Sequence, residues 1–162
     1  YWKKTFLSQQ QKAFSYQINM AKKYRLPVVI HSRDSFEEVF EVLEANKGND
    51  LYGIFHCFTG TEEYARRAID LNLKLGIGGI VTFKNGKINK FLHKFDLEHI
   101  VLETDSPYLA PTPFRGERNE SSYLIHVAQA VAECYGISVE EVAVQTTKNA
   151  QEVFHDFRPP KF

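Results

Sequence analysis

Four things are scarce in this sequence: cysteine, methionine, net charge and long apolar runs. The two cysteines, Cys57 and Cys134, form neither a C-x-x-C pair nor a disulfide framework, so a reduced, cytoplasmic setting is expected. No apolar stretch approaches the ~20 residues that span a bilayer, and no segment reads as a signal peptide. Twenty basic and twenty acidic residues cancel, so no global field draws in a polyanion. A nucleic-acid substrate would need a local cluster to hold it. The only methionine is Met20 and the sequence opens on Tyr1-Trp2, which reads as a start inside a longer protein or a trimmed one. There is no low-complexity stretch, interdomain linker or short repeat. What remains is a single domain over residues 1–162, 43% apolar and 25% charged, long enough for a sizeable core.

Three apolar runs each end on a residue able to hold a metal. Leu26-Pro27-Val28-Val29-Ile30 leads into His31, Tyr52-Gly53-Ile54-Phe55 into His56, and Ile100-Val101-Leu102 into Glu103-Thr104-Asp105. Short runs of this kind read as buried strands of a parallel sheet, whose chemistry sits at the carboxyl ends of its strands. Between them the apolar period changes to that of a helix. Helices are expected from about Phe6 to Tyr24, Asp34 to Ala45, Glu62 to Leu71, Ser121 to Tyr135 and Val139 to Phe154, with a short one near Ile88–His93. Asp34 or Ser35, Thr61 and Ser138 are the expected caps, and Gly136 the stop. A third strand is expected at Leu73–Ile77, a fourth near His99–Leu102, and a long loop from Thr104 to Asn119. Alternation of this kind means an α/β fold with a parallel sheet and right-handed crossovers.

Imidazole nitrogen and carboxylate oxygen together suit Zn, Mn, Fe or Co, and carboxylate with water suits Mg. His31, His56 and Asp105 are therefore the candidate metal ligands. In an extended strand Glu103 and Asp105 point to one face, and two carboxylates so close need a cation or a shared proton between them. Asp105 is the better ligand and the candidate catalytic base for a reactive water; Glu103 is a supporting residue or a further ligand. Arg33, Arg115 and Arg118 are candidates to hold a phosphate by paired hydrogen bonds, with Lys84 a weaker one. His93, His99, His126 and His155 read as surface or structural residues. Gly76, Gly78 and Gly79 lack the spacing of a dinucleotide fingerprint. Cys57, next to an inward-facing strand residue, should point the other way and is not expected to act as a nucleophile.

Taken together, Leu-Pro-Val-Val-Ile-His-Ser-Arg-Asp (26–34), His-Cys-Phe-Thr-Gly (56–60), Leu-Glu-Thr-Asp-Ser-Pro-Tyr-Leu-Ala-Pro (102–111) and Arg-Gly-Glu-Arg-Asn-Glu (115–120) resemble the TatD family of metal-dependent deoxyribonucleases, relatives of the amidohydrolases. Gly-Gly-Ile-Val-Thr-Phe-Lys-Asn (78–85) and Thr-Thr-Lys-Asn-Ala (146–150) fit the same pattern. The resemblance implies a (β/α)8 TIM-type barrel and hydrolysis of DNA phosphodiesters by metal-activated water, commonly with two divalent ions (Mg, Zn or Mn). It implies that His31, His56 and Asp105 are ligands and that DNA strands or ends are the partner. The family's His-x-His pair and bridging glutamate have no counterpart here, so the chain resembles strands five to eight, and a complete site would need the N-terminal half of the barrel. Ser121 stands where the family usually has proline, which a helix start tolerates. The rival readings are a related amidohydrolase acting on a non-nucleic ester or amide, and a non-catalytic half-barrel. Four such strands alone would leave two sheet edges and an apolar face open, and should self-associate or need their missing half.

Overall fold

Four short parallel strands, β1 (Val28–His31), β2 (Gly53–His56), β3 (Leu73–Ile77) and β4 (Ile100–Leu102), lie in sequence order in one sheet. The computed structural model describes residues 4–155; Tyr1 and Trp2 lie outside them. The register sets Val28 beside Gly53 and His31 beside His56, so the first two ligand-type residues end neighbouring strands at the same level. Phe55 pairs with Leu75 and Ile77 with Leu102, which carries the same level across to the end of β4.

Five α-helices flank the sheet: α1 (Leu7–Tyr24), α2 (Phe36–Ala45), α3 (Glu62–Asp70), α4 (Leu124–Tyr135) and α5 (Val139–Val153). Period-2 alternation sends Ile30, Phe55, Leu75 and Ile100 to one face, where they meet Ile18 of α1, Phe40 and Leu43 of α2, Ala65 and Ala68 of α3, and Val127 and Val131 of α4. The capping chemistry expected for α3 and α5 is present. Thr61 accepts from the Tyr64 amide, and Ser138 and Glu141 form a reciprocal capping box. Gly136, at φ 66°, ends α4 in the left-handed conformation that glycine adopts without strain.

The face turned away from α1–α4 is divided in two. α5 begins in the main core at Val142 and ends on this other face, where Val153 packs with Ile54 and Val101. Lys74 is tied down there by the Glu152 carboxylate at 3.1 Å and the Glu98 carbonyl at 2.8 Å. The amino-terminal half of the face is thus covered from β2 to β4, Val29 of β1 stays 58% exposed, and the carboxyl-terminal half is left to His31, His56 and Glu103.

Three expectations need correction. Residues 88–99 form 3-10 turns, Ile88–Lys90, Leu92–Lys94 and Leu97–His99, where a short α-helix is expected near Ile88–His93. Buried Ile88, Leu92 and Phe95 anchor this segment turn by turn, and a helix of one or two turns does not repay its nucleation cost. Residues Ser121–Tyr123 are likewise a 3-10 turn, and α4 starts at Leu124. Ser35 occupies the cap position of α2, but its hydroxyl meets the Ser32 hydroxyl at 3.3 Å and makes no cap bond. Among the described residues no helix is long and apolar enough to cross a membrane.

Candidate metal centre

His56 stands between two carboxylates. Its Nδ1 is 2.9 Å from Glu103 Oε2, and its Nε2 is 3.2 Å from Asp105 Oδ1. A neutral imidazole donates from one nitrogen only, so both contacts are favourable for an imidazolium, with a proton on one of the carboxyls, or with a cation beside one nitrogen. If Nδ1 donates to Glu103, the Nε2 lone pair faces a carboxylate oxygen, and those two atoms repel. Two donors bound at about 2.0–2.1 Å to one tetrahedral ion stand roughly 3.3 Å apart, which is the spacing of Nε2 and Oδ1. A carboxylate on the far nitrogen of a ligating histidine fixes its tautomer and orientation, and Glu103 is placed for that part.

Local backbone geometry makes the cluster. β4 ends at Leu102, so Glu103 and Asp105 do not arrive as alternate residues of a continuous strand. Asp105 takes a left-handed conformation, φ 54°, and approaches the ring from the side opposite Glu103. Cys57, at φ 45°, turns its amide onto Glu103 Oε1 at 2.5 Å. Non-glycine residues in this region cost on the order of 1 kcal/mol each, and two of them flank the cluster. Gly76 completes the arrangement: a Cβ there would lie 2.5 Å from Glu103 Oε2 and 3.1 Å from the Phe55 carbonyl. The missing side chain is the space that the Glu103 carboxylate occupies.

Burial pushes the Glu103 carboxyl above its usual range, against the opposing pull of His56 and the Cys57 amide. Burial also raises the Cys57 thiol, to about 12, and the negative charges of Glu103 and Asp105 add to it. The sulfur thus feels both carboxylates, against the expectation that Cys57 points away from them, and a thiol raised this far carries little thiolate at neutral pH.

His31 lies beside this group without joining its contacts. Its ring centroid is 5.8 Å from that of His56, and the residue is exposed. Arg33, Arg115 and Arg118 are all exposed on the loops that follow β1 and β4, and Arg115 lies over the Phe83 ring at 3.6 Å. Lys84 is exposed as well. Among the described residues, the trio whose ligand atoms all lie within 4.8 Å of one another is Asp96, Glu98 and His99, at the opposite end of β4. It is mostly exposed, and the His56 group differs from it in being half-buried and braced by its neighbours. Sequence reading missed three supporting residues, Gly76, Asn119 and Asn149. Asn119 is buried and donates to the Thr104 and Tyr108 carbonyls, which closes the loop that carries Asp105.

A profile of the family described as "TatD related DNase" matches residues 1–155. The chain belongs to this family. Among TatD-family relatives, the uncharacterized metal-dependent hydrolase YabD of Bacillus subtilis is 43% identical over 95% of this chain and 61% of its own length. The uncharacterized metal-dependent hydrolase YcfH of Escherichia coli K12 is 37% identical over 90% of this chain and 56% of its own. The crystal structure of YJJV, a TatD homolog from Escherichia coli K12, superposes with a TM-score of 0.85 at 28% identity, covering 91% of this chain and 57% of that one. The chain therefore spans less than two thirds of the length of these relatives. The sheet and its helices are those of a TatD-type, TIM-barrel-like α/β fold. The family match runs from the first residue, so it does not itself mark out strands five to eight.

Proposed function

We propose that this chain supplies metal ligands to a hydrolase that cuts DNA phosphodiester bonds with water. The observation that carries the reading is His56, held between Glu103 and Asp105 at the carboxyl ends of parallel strands. His31, His56 and Asp105 are the ligands, and Glu103 fixes the His56 ring. When bound, divalent ions (Mg, Zn or Mn, two in a complete site) lower the pKa of water and neutralise charge on the phosphoryl oxygens. Asp105 accepts the proton as the water oxygen bonds to phosphorus and the bond to the leaving sugar oxygen breaks. Arg33, Arg115 and Arg118 hold the phosphate from the rim. In this reading β1–β4 are strands five to eight of an eight-stranded barrel, and strands bearing further ligands join along β1 and β4. The names of the relatives, metal-dependent hydrolases within a family described by its DNase activity, support the assignment.

The test is DNA cleavage by the intact protein, on single- and double-stranded substrates, with and without divalent metal. His56→Ala and Asp105→Asn should each lower metal-dependent cleavage by about a hundredfold or more. Full activity in the Asp105 variant removes that residue from proton transfer. Cleavage of a simple ester or amide, with DNA untouched, moves the substrate out of nucleic acid.

A further inference from the structure

Asp105 meets His56 from a backbone held in a sparsely populated, left-handed conformation, φ 54°. The direction of its Cα–Cβ bond is set by the two peptide planes that flank it, and each plane is rigid. Fixing both planes therefore fixes the line along which the carboxylate approaches Nε2. The plane before Asp105 carries the Thr104 carbonyl, and the plane after it carries the Asp105 carbonyl.

One side chain governs both planes. Asn119 Nδ2 donates to the Thr104 carbonyl, which holds the first plane, and to the Tyr108 carbonyl at 2.7 Å. The Tyr108 amide in turn donates to the Asp105 carbonyl at 2.9 Å, which holds the second. The Asn119 backbone amide adds a bond to the Pro107 carbonyl at 3.0 Å. Rotation of the carboxamide is checked by its Oδ1, which accepts the Glu120 amide at 2.9 Å. Asn119 is only 2% exposed, so water does not compete for the carbonyls it holds.

The loop's firmer ties elsewhere lie beyond Tyr108. A Cβ on Gly79 would lie 2.2 Å from the Leu109 carbonyl, so the two backbones touch there. Thr82 Oγ1 accepts from the Thr112 amide at 2.8 Å, and Thr112 Oγ1 donates to the Thr82 carbonyl at 3.2 Å. These anchor the far end of the loop to the turn after β3. Nearer Asp105, the Ser106 amide meets the Thr104 hydroxyl at 3.4 Å, a long surface contact that leaves both carbonyls untouched.

We infer that Asn119 is a positioning residue for the metal centre, whose carboxamide holds Asp105 in the left-handed conformation that presents its carboxylate beside His56 Nε2. This rests on the reading of Asp105 as a ligand. Without Asn119 the backbone at Asp105 relaxes toward the commoner right-handed or extended regions, and the carboxylate turns away from the imidazole.

The test is titration of the intact, metal-free protein with cobalt(II), read by calorimetry and by the ion's visible absorption, which reports its ligands. Asn119→Ala should weaken binding about 10–100-fold, and its cobalt spectrum should match that of Asp105→Ala. The double variant Asn119→Ala, Asp105→Ala should bind no more weakly than Asp105→Ala alone, because the support acts through that one carboxylate. Asn149→Ala, which removes a buried carboxamide from the other end of β4, should bind cobalt as the wild type does. Asn119→Ser has a hydroxyl that cannot donate to both carbonyls; it should lose about tenfold and decides the matter where the alanine variant does not fold. Wild-type affinity in these Asn119 variants, a further tenfold loss in the double variant, or an equal loss in Asn149→Ala overturns the positioning role alone. Equal cobalt affinity in the wild type and Asp105→Ala overturns the ligand reading on which it rests.

Discussion

At the scale of single residues, Glu103 does three things at once: it faces His56 Nδ1, accepts the Cys57 amide, and fills the space left by Gly76. Glu103→Gln keeps the size and one acceptor but removes the charge. It should weaken divalent-metal binding about 10–100-fold in a calorimetric titration, the usual cost of losing an outer partner of a ligating histidine. Gly76→Ala should act in the same direction without touching a ligand, since the added methyl displaces the carboxylate from His56. Equal metal affinity in the wild type and Gly76→Ala would show that the space beside Glu103 is not needed. Cys57 gives a check on the local field. With its thiol raised to about 12, thiolate at pH 8 is about a thousandfold scarcer than for an ordinary thiol, and alkylation follows thiolate. Iodoacetamide should therefore modify Cys57 in the metal-free protein far more slowly than it modifies a small thiol. Rapid labelling would mean that the sulfur is not buried beside Glu103 and Asp105 as it is here.

Among the elements, α5 joins the two faces of the sheet, and its attachment depends on polar contacts. Asn149, fully buried, donates to the Leu97 and Ile100 carbonyls at 2.8 and 2.7 Å and so fastens the helix to the base of β4. Asn149→Ala leaves buried carbonyls without partners and should destabilise by about 2–3 kcal/mol. Ser138→Ala loses only the cap, about 1 kcal/mol. Urea unfolding of the two variants should rank them in that order, and the reverse order would refute the fastening role. The same contrast explains what was legible in the sequence. Ser138, Thr61 and Gly136 act on residues within one helical turn, so local pattern reveals them. His31 and His56 are legible because a strand's period of two and its apolar run fix where it ends. Asn149 and Asn119 act on carbonyls 52 and 15 residues away, and Gly76 acts through a gap that Glu103, just past β4, fills. Nothing near them in sequence records those partners. The 3-10 turns of residues 88–99 escaped for a related reason, since the core fixes each turn separately and no helical period develops.

For the whole molecule, the question is which acidic group an ion would occupy, since two are available at opposite ends of β4. The Asp96, Glu98 and His99 group is mostly exposed, so water solvates its carboxylates and an ion gains little by displacing that water. The His56 group is half-buried, its Glu103 carboxyl is raised by burial, and its Nε2 faces Asp105 across 3.2 Å. An ion that neutralises these groups binds the folded chain and not the unfolded one, so it adds stability by mass action, about 2.7 kcal/mol at a hundred times its dissociation constant. For a chain of this length that is a rise in thermal midpoint of roughly 5–10 °C, and it should be reversed by EDTA. His56→Ala and Asp105→Asn should abolish the rise, because each removes a donor from the proposed site. The double substitution Asp96→Asn, Glu98→Gln should leave it intact. If the shift persists in His56→Ala and vanishes in the Asp96, Glu98 variant, the ion belongs to the other end of β4. The three strand endings would then be hydrogen-bonded residues of the barrel rim, and the hydrolytic reading would lose the observation that carries it.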